Sequence, residues 1–593
     1  MGFLKSCCSL AGELSSSAQN GKSFWGTFFA PTLPLWILNN GGRGDGHRDC
    51  PWGSKMAGTN NPYTDAPQTG ITRRYDFNIS RGVIAPDGYE KRVLLVNDQF
   101  PGPLIEANWG DWIEVKVTNS ISEEPAEGTT IHWHGFLQTG TPWMDGVPGV
   151  TQCPIPPGHS FTYRMRAELY GSSWYHSHYS AQYAGGLQGP IVIHGPRNVD
   201  YDIDLGPIMV SDWWHDDYYS VVKEVVASGG TGRTWSDNNL INGKMNFDCS
   251  TVKEGDTATC TDDAGLSKFN FQAGKTHRLR FINSGAEGTQ RISIDEHNMT
   301  IIANDFVTIE PYDTQVLTLG VGQRADVLVH AHAESGSTFW LRSNLTTCSN
   351  TNQPLALAAI YYDGADNNSM PTSTPWDIPD PGDCANDDLS LTKPYYSMPL
   401  PEPSFTQHLD IGSTTNSSGN FLWQFGGVAA HVNYNDPPLL RAGKMHAEFD
   451  PSYNLVNYGT NSSVRIIINN PGAAAHPMHI HGMNMFVLAS GTGNYSEETT
   501  VLNTDNPMRR DVQMVVAKGF IVVQLDGSRN PGAWPFHCHV TWHASTGFFS
   551  QMLFRPDALE KPAFTIPHDV RQTCKDWERF TKDTVVDQID SGL

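Results

Sequence analysis

The run Trp112-Ile113-Glu114-Val115-Lys116-Val117 alternates apolar and charged side chains. That is the period of a strand with one buried face. Similar runs recur at His277-Arg278-Leu279-Arg280-Phe281-Ile282, Ala325-Asp326-Val327-Leu328-Val329 and Val464-Arg465-Ile466-Ile467-Ile468. Gly, Pro or Asn bounds each one. Short strands at this density, in a chain with 56 Gly and 38 Pro, predict β-sandwiches rather than long helices.

The surrounding text divides the chain. Residues 1–55 read as a leader and a Gly-rich segment. Three domains are expected at 56–196, 197–375 and 376–593, the Asp/Pro/Ser-rich stretch 364–403 leading from the second into the third. The net charge of −23 sets the surface against phosphate backbones, so no nucleic-acid partner is expected. No apolar run is long enough for a transmembrane helix. Phe24 to Leu38 is apolar enough for a secretory h-region, with Lys22 before it, though Pro31 and Pro34 interrupt it. The opening Met1-Gly2-Phe3-Leu4-Lys5-Ser6 also fits N-myristoylation, with Cys7 and Cys8 open to palmitoylation. A secreted, vesicular or cell-surface location is expected, a lipidated cytosolic form being the alternative. Seven Asn-x-Ser/Thr sequons, at Asn78, Asn298, Asn344, Asn367, Asn416, Asn461 and Asn494, are compatible with a secreted glycoprotein.

The histidines carry the chemistry. With 22 His in 593 residues, chance gives about 0.8 His-x-His pairs. Five occur. One, His330-Ala331-His332, lacks a partner motif and is read as incidental. The other four form a repeat: His132-Trp133-His134-Gly135 followed by His176-Ser177-His178, and His479-Ile480-His481-Gly482 followed by His537-Cys538-His539. Side chains two apart on a strand share a face, so each pair offers two imidazoles to one site, eight in all. Within His537-Cys538-His539 the cysteine points to the opposite face. His476 and His543 are near enough in sequence to join it. A His₂Cys set with a weak or missing axial ligand indicates blue copper used for electron transfer, whereas zinc favours tetrahedral closure. Eight further imidazoles suit three coppers, shared as two, three and three. One copper plus three hold four electrons, the number that takes O₂ to two waters.

These four motifs, with His476-Pro477-Met478 and Val540-Thr541-Trp542-His543 completing two of them, resemble the copper signatures of multicopper oxidases, and most nearly those of ascomycete fungal laccases. Val150-Thr151-Gln152-Cys153-Pro154, Asp505-Asn506-Pro507 with Arg509-Arg510-Asp511, Asn530-Pro531-Gly532-Ala533-Trp534 and Asp590-Ser591-Gly592-Leu593 carry the same resemblance. It implies an all-β chain of three cupredoxin-like Greek-key sandwiches, with a trinuclear copper cluster between the first and third. It implies four coppers: a type 1 ion at His476, Cys538 and His543, a type 2 ion at His132 and His479, and type 3 ions at His134, His176, His539 and at His178, His481, His537. The implied partners are a small phenol and O₂, and a monomer is expected. Glu287 matches a substrate-binding carboxylate that would accept the phenolic proton. Asp145 matches a carboxylate beside the trinuclear site. Phe421, Trp423 and Trp534 match walls of a phenol pocket, and Phe548 stands where an axial donor would be and cannot ligate.

The resemblance further implies Cys153–Cys574 and Cys348–Cys384 bridges. Cys249 and Cys260 are spaced to close a local loop, and Cys50 lacks its usual partner. Leu593 is expected to lie with its carboxylate in the oxygen channel. The function expected is a laccase-like oxidation of phenols coupled to O₂ reduction. The alternative is a dedicated phenol-coupling oxidase of a polyketide or pigment pathway. Ascorbate oxidase and metallo-oxidase chemistry fit less well, and a copper carrier would need only the cysteine site.

Overall fold

The computed structural model describes residues 24–34, 51–122, 125–227, 234–442, 448–584 and 588–593. Cys7, Cys8 and Cys50, the Met1–Ser6 motif and the end of the apolar run at 35–38 lie outside them.

Along Trp112–Asn119, Ile113, Val115 and Val117 are buried and Lys116 is exposed, as the alternation requires. This strand runs parallel to Thr72–Ile84 and antiparallel to Ser160–Arg166. Lys91–Val96 completes a four-stranded sheet. A second four-stranded sheet, Ile105–Asn108, Gln188–His194, Gly171–Ser177 and Ile131–Trp133, packs with it. Parallel neighbours that are not consecutive in sequence mean crossovers between the sheets, the mark of Greek-key sandwiches. The plan repeats twice. Strands from Ile203–Trp213 to Leu355–Tyr362 form a six- and a five-stranded sheet, and strands from Phe405–His408 to Phe549–Phe554 form two five-stranded sheets and the hairpin Ile411–Thr415/Phe421–Phe425. The fold is therefore three cupredoxin-like sandwiches. One apolar core runs through all three, from Ile113 through Ile301 to Val523.

Helices are few. The longest, His568–Asp583, turns Val570, Thr573 and Trp577 inward. Cys574 on that helix bonds Cys153 across 421 residues, tying the C-terminal segment to the first sandwich. The Cys249–Cys260 and Cys348–Cys384 bridges are present too. No described helix is long and apolar enough to cross a membrane.

One expectation needs correction. The apolar run from Phe24 is read from sequence as leader, but residues 24–34 pack on the second sandwich. Trp25 is buried against Gly206, and the Leu33 N–H donates to the Asp204 carbonyl at 2.7 Å. Trp25, Leu33 and Val192 form a small apolar cluster. A short apolar run has the same composition in a leader and in a strap against a sheet edge, so hydropathy could not separate them.

Removing the Cys153–Cys574 bridge by a Cys153→Ser/Cys574→Ser double substitution frees a very long loop. It is expected to cost about 2–4 kcal/mol. Limited proteolysis across a temperature ramp should show cleavage in the helix His568–Asp583 at lower temperature than in the parent.

Candidate metal centres

The four His-x-His motifs sit on paired strands. Ile131–Trp133 lies antiparallel to Gly171–Ser177 with His132 opposite His176. His476–Ile480 lies antiparallel to Gly532–Cys538 with His479 opposite His537 and Met478 opposite Cys538. The two strand pairs come from the first and third sandwiches and face each other. All eight imidazoles are 5% exposed or less.

Burial, with neighbouring histidines adding to the effect, pushes His134, His176, His178, His479, His481 and His539 below the ordinary imidazole range. His537 falls to about 4. These seven are neutral donors ready for a cation. The tautomers are set by hydrogen bonds. Nδ1–H of His132 donates to the Asp145 carbonyl at 2.8 Å, of His176 to Ser177 O at 2.9 Å, of His479 to Asp511 O at 2.9 Å and of His537 to Cys538 O at 2.9 Å. The Nε2 atoms of His132, His176 and His479 are left buried with no hydrogen-bond partner. Orphaned buried nitrogens are costly, and a metal ion satisfies them. His134 is turned around: its Nε2 meets Asp511 Oδ1 at 3.0 Å and its Nδ1 lies 3.2 Å from His539 Nε2. His481 and His537 bring their Nε2 atoms within 3.1 Å. Nitrogens so close suit two ligands of one ion, and imidazole sets without carboxylate ligands suit copper.

Compact donor groups form at His178, His481 and His537, at His132, His479 and His481, at His132, His134 and His176, and at His134, His479 and His539. The first is one of the expected type 3 sets. The other expected set, His134, His176 and His539, is not itself a compact group. His134 and His539 are adjacent, while His176 groups with His132 and His134. His330 and His332 join no such group; the His332 ring rests 4.6 Å from His297.

The cysteine side forms the fifth group, with His476 and His543. Cys538 Sγ is 3.6 Å from His476 Nδ1 and 3.5 Å from His543 Nδ1, and the two nitrogens are 3.1 Å apart. An ion bonded to all three in a plane at about 2.0–2.3 Å would space its ligands by roughly 3.5 Å, so the triangle fits. Burial pushes the Cys538 thiol up and brings His543 down to about 3; a cation reverses the first and uses the second. Phe548, fully buried, lies with its ring 5.0 Å from His476. Trp423 covers both histidines, 5.0 Å from His476 and 4.8 Å from His543.

Two carboxylates brace the ligands. Asp145, fully buried, accepts from His481 Nδ1 at 2.9 Å and lies 3.3 Å from His132 Nδ1, so it touches both sandwiches. The turn after it needs Gly146, at φ +84°: a Cβ there would lie 1.8 Å from the Ile131 carbonyl. Asp511 was missed as a functional residue. Its carboxylate meets His134 and receives two bonds from Arg324, at 2.6 and 2.8 Å. Burial pushes this carboxyl up against the pull of Arg324. Its one sequence signal is the Arg509-Arg510-Asp511 run. The second sandwich contributes Gly322, whose Cβ position lies 2.9 Å from His539 and 3.1 Å from His134.

Next to His543 opens a cavity of about 580 Å³, lined among others by Glu287, Asn350, Phe421, Trp423 and Val540. Asn350 donates to Glu287 Oε1 at 2.9 Å. Trp534 does not reach this cavity. It shares a strand face with Cys538 but lies four residues back, roughly 13 Å along the strand, sealed beneath Gly482 with its N–H on the Asn530 carbonyl. Leu593 is buried and lines a small space with His176, His178, His537 and His539.

Sequence models described as multicopper oxidase match residues 78–198, 204–365 and 427–558. The chain is 40% identical over 547 residues to Oxidoreductase OpS5 of Beauveria bassiana, covering 91% of this chain and 90% of that protein. It is 35% identical over 558 residues to Laccase-2 of Botryotinia fuckeliana, covering 92% of each. Dihydrogeodin oxidase of Aspergillus terreus is 34% identical over 553 residues, covering 87% of this chain and 89% of that one. The crystal structure of a laccase from Botrytis aclada superposes with a TM-score of 0.83 at 34% identity, over 90% of this chain and 97% of that one.

Two outcomes follow from the cysteine site. Cys538→Ser should abolish the blue absorption while metal analysis still finds three coppers per chain. A donor added beside the His476, Cys538 and His543 group by Phe548→Met would stabilise Cu(II) more than Cu(I). The type 1 potential should fall in that variant and stay nearly constant in Phe549→Met, as read by redox titration of the blue band.

Proposed function

The chain belongs to the multicopper oxidase family, and on that premise we propose how its own residues divide a laccase-like oxidation of phenols by O₂. It is a laccase-like oxidoreductase that carries four coppers. When bound, they supply one-electron acceptance beside the substrate and four-electron reduction of O₂ to water. His476, Cys538 and His543 would hold the type 1 ion, and His132 and His479 the type 2 ion. His134, His176 and His539 would hold one type 3 ion, and His178, His481 and His537 the other. The observation that carries this reading is the strand His537-Cys538-His539. Its thiol belongs to one donor group and its two imidazoles to groups on the opposite face, so the backbone itself links the sites.

Glu287 takes the phenolic proton. A phenol seated in the cavity between Glu287 and His543 loses its O–H proton to the carboxylate as an electron leaves toward His543, because the phenolate is far easier to oxidise. Asn350 orients the carboxylate through Oε1. Trp423 and Phe421, with ring centroids 5.5 Å apart, wall the apolar side. At the other end Asp145 holds His132 and His481 in register and passes protons to the oxygen-reducing site. The three disulfides support maturation in an oxidising, secretory compartment.

The size of the cavity favours a second, narrower reading. Pockets of about 300–1,000 Å³ hold drug-sized ligands, and about 580 Å³ exceeds what a single phenol fills. Thr289, Thr347, Ser349 and Ser413 line it together with the aromatics. That mixture suits a polyhydroxylated molecule of two or three rings. A dedicated phenol-coupling oxidase, of the kind the name dihydrogeodin oxidase gives to one relative, is the corresponding function. Comparing kcat/KM for single-ring phenols and two-ring polyphenols separates it from broad laccase action.

Glu287→Gln should slow phenol oxidation by about 10²-fold and barely change oxidation of a redox dye with no proton to lose. Equal losses on both substrates would sink the proton-acceptor role.

A further inference from the structure

We infer that Asp212 is a positioning residue for phenol oxidation, holding the Glu287 loop in register with the copper loop of the third sandwich. This rests on the reading of Glu287 as proton acceptor.

Asp212 lies on the strand Ile203–Trp213 and is 4% exposed. Three consecutive backbone N–H groups converge on its carboxylate. Ala286 donates to Oδ1 at 2.6 Å, and Glu287 at 2.9 Å and Gly288 both donate to Oδ2. Successive N–H groups closing on one anion form a nest. Here the anion is a side chain of the protein itself. After burial, the strongest influences on this carboxylate are backbone N–H groups. Burial pushes it up to about 6 against their pull. A buried carboxylate bonded by three consecutive amides of one loop fixes that loop, because buried amides are costly to leave without an acceptor.

The loop passes this constraint on in two directions. The Glu287 side chain projects into the phenol cavity, where Asn350 meets it. The Ala286 carbonyl accepts the Thr541 N–H at 2.8 Å, and Thr541 lies between His539 and His543. The loop is also stiff. Asn283 accepts from the Gly285 N–H at 3.1 Å and donates to the Gly288 carbonyl at 2.9 Å. It has no slack for a side chain either: a Cβ on Gly285 would lie 2.7 Å from Asp212 Oδ1. Thus one carboxylate of the second sandwich sets the spacing between the group that takes the proton and the histidine that takes the electron. Proton and electron leave the same phenol together, so this spacing governs phenols and is irrelevant to a donor that gives up an electron alone.

Asp212→Asn keeps the shape but replaces one acceptor with an NH₂ facing the loop's amides. Gly285→Ala disturbs the same contact from the loop side and leaves the carboxylate in place. Copper content, blue absorption, type 1 potential and kcat/KM for 2,6-dimethoxyphenol and for ferrocyanide would be measured in both, in Glu287→Gln, and in the Asp212→Asn/Glu287→Gln double variant. Asp212→Asn and Gly285→Ala should keep four coppers and the parent potential. Each should lose on the order of tenfold for the phenol and stay within about twofold for ferrocyanide. The double variant should be no slower on the phenol than Glu287→Gln alone, as expected of residues acting through one another. Equal losses on both donors, or losses that multiply in the double variant, would overturn the role of Asp212. If Glu287→Gln is selective for the phenol and neither of the other variants is, only the inference about Asp212 fails. If Glu287→Gln spares the phenol, the proton-acceptor reading fails and takes this one with it. Should Asp212→Asn not accumulate in folded form, Gly285→Ala decides the matter by itself.

Discussion

Eight imidazoles share one space closed to water, where positive charges on neighbouring rings would repel one another. That constraint organises the molecule. Each ring is desolvated, and the N–H that faces away from the site must find an acceptor. Backbone carbonyls of Asp145, Ser177, Asp511 and Cys538 do this for four of the rings. The choice of acceptor fixes the tautomer, and the tautomer fixes which nitrogen looks inward. His134 inverts the pattern because Asp511 takes its Nε2.

The sandwiches supply rigidity and the carboxylates supply registration between them. Strand pairing alone puts His132 opposite His176 and His479 opposite His537, but nothing in either pairing relates one sandwich to the other. Asp145 and Asp511 do so, each bonded to histidines across the junction. The Arg324 guanidinium, buried against Asp511 and Asp305, brings the second sandwich into the same arrangement without lending a ligand. A buried ion pair of this kind contributes little net stability; what it gives here is a single geometry.

Much of this was legible in the chain. Alternation along Trp112–Val117 is a local property, so the strands and the all-β class could be read directly. The His-x-His motifs are likewise local, and their repetition raised them above chance. Asp511 was hidden because its partner His134 is 377 residues away, and no spacing rule spans that gap. Trp534 was misplaced for a related reason: its motif gives neighbours along the chain, whereas pocket membership depends on distance along a strand. Glu287, Phe421 and Trp423 did meet at His543, but Asn350 and the loop contacts that hold Glu287 come from separate turns that only the fold assembles. The apolar run at Phe24 shows the converse limit, since the same hydropathy serves a leader and a strap.

The ligands span His132 to His543, and this has a consequence for synthesis. At about 5–20 residues per second, the roughly 360 residues between His178 and His543 take some twenty seconds to over a minute to emerge. Throughout that interval the first sandwich holds half a cluster, four imidazoles with no opposing set. Such a half-site is open to any stray divalent ion, and the correct metals can be retained only after the third sandwich docks. The full ligand set closes only when the third sandwich docks, and ions bound by two sandwiches at once would hold them together. The separation of the motifs along the chain thus sets when the two halves of the site can first meet.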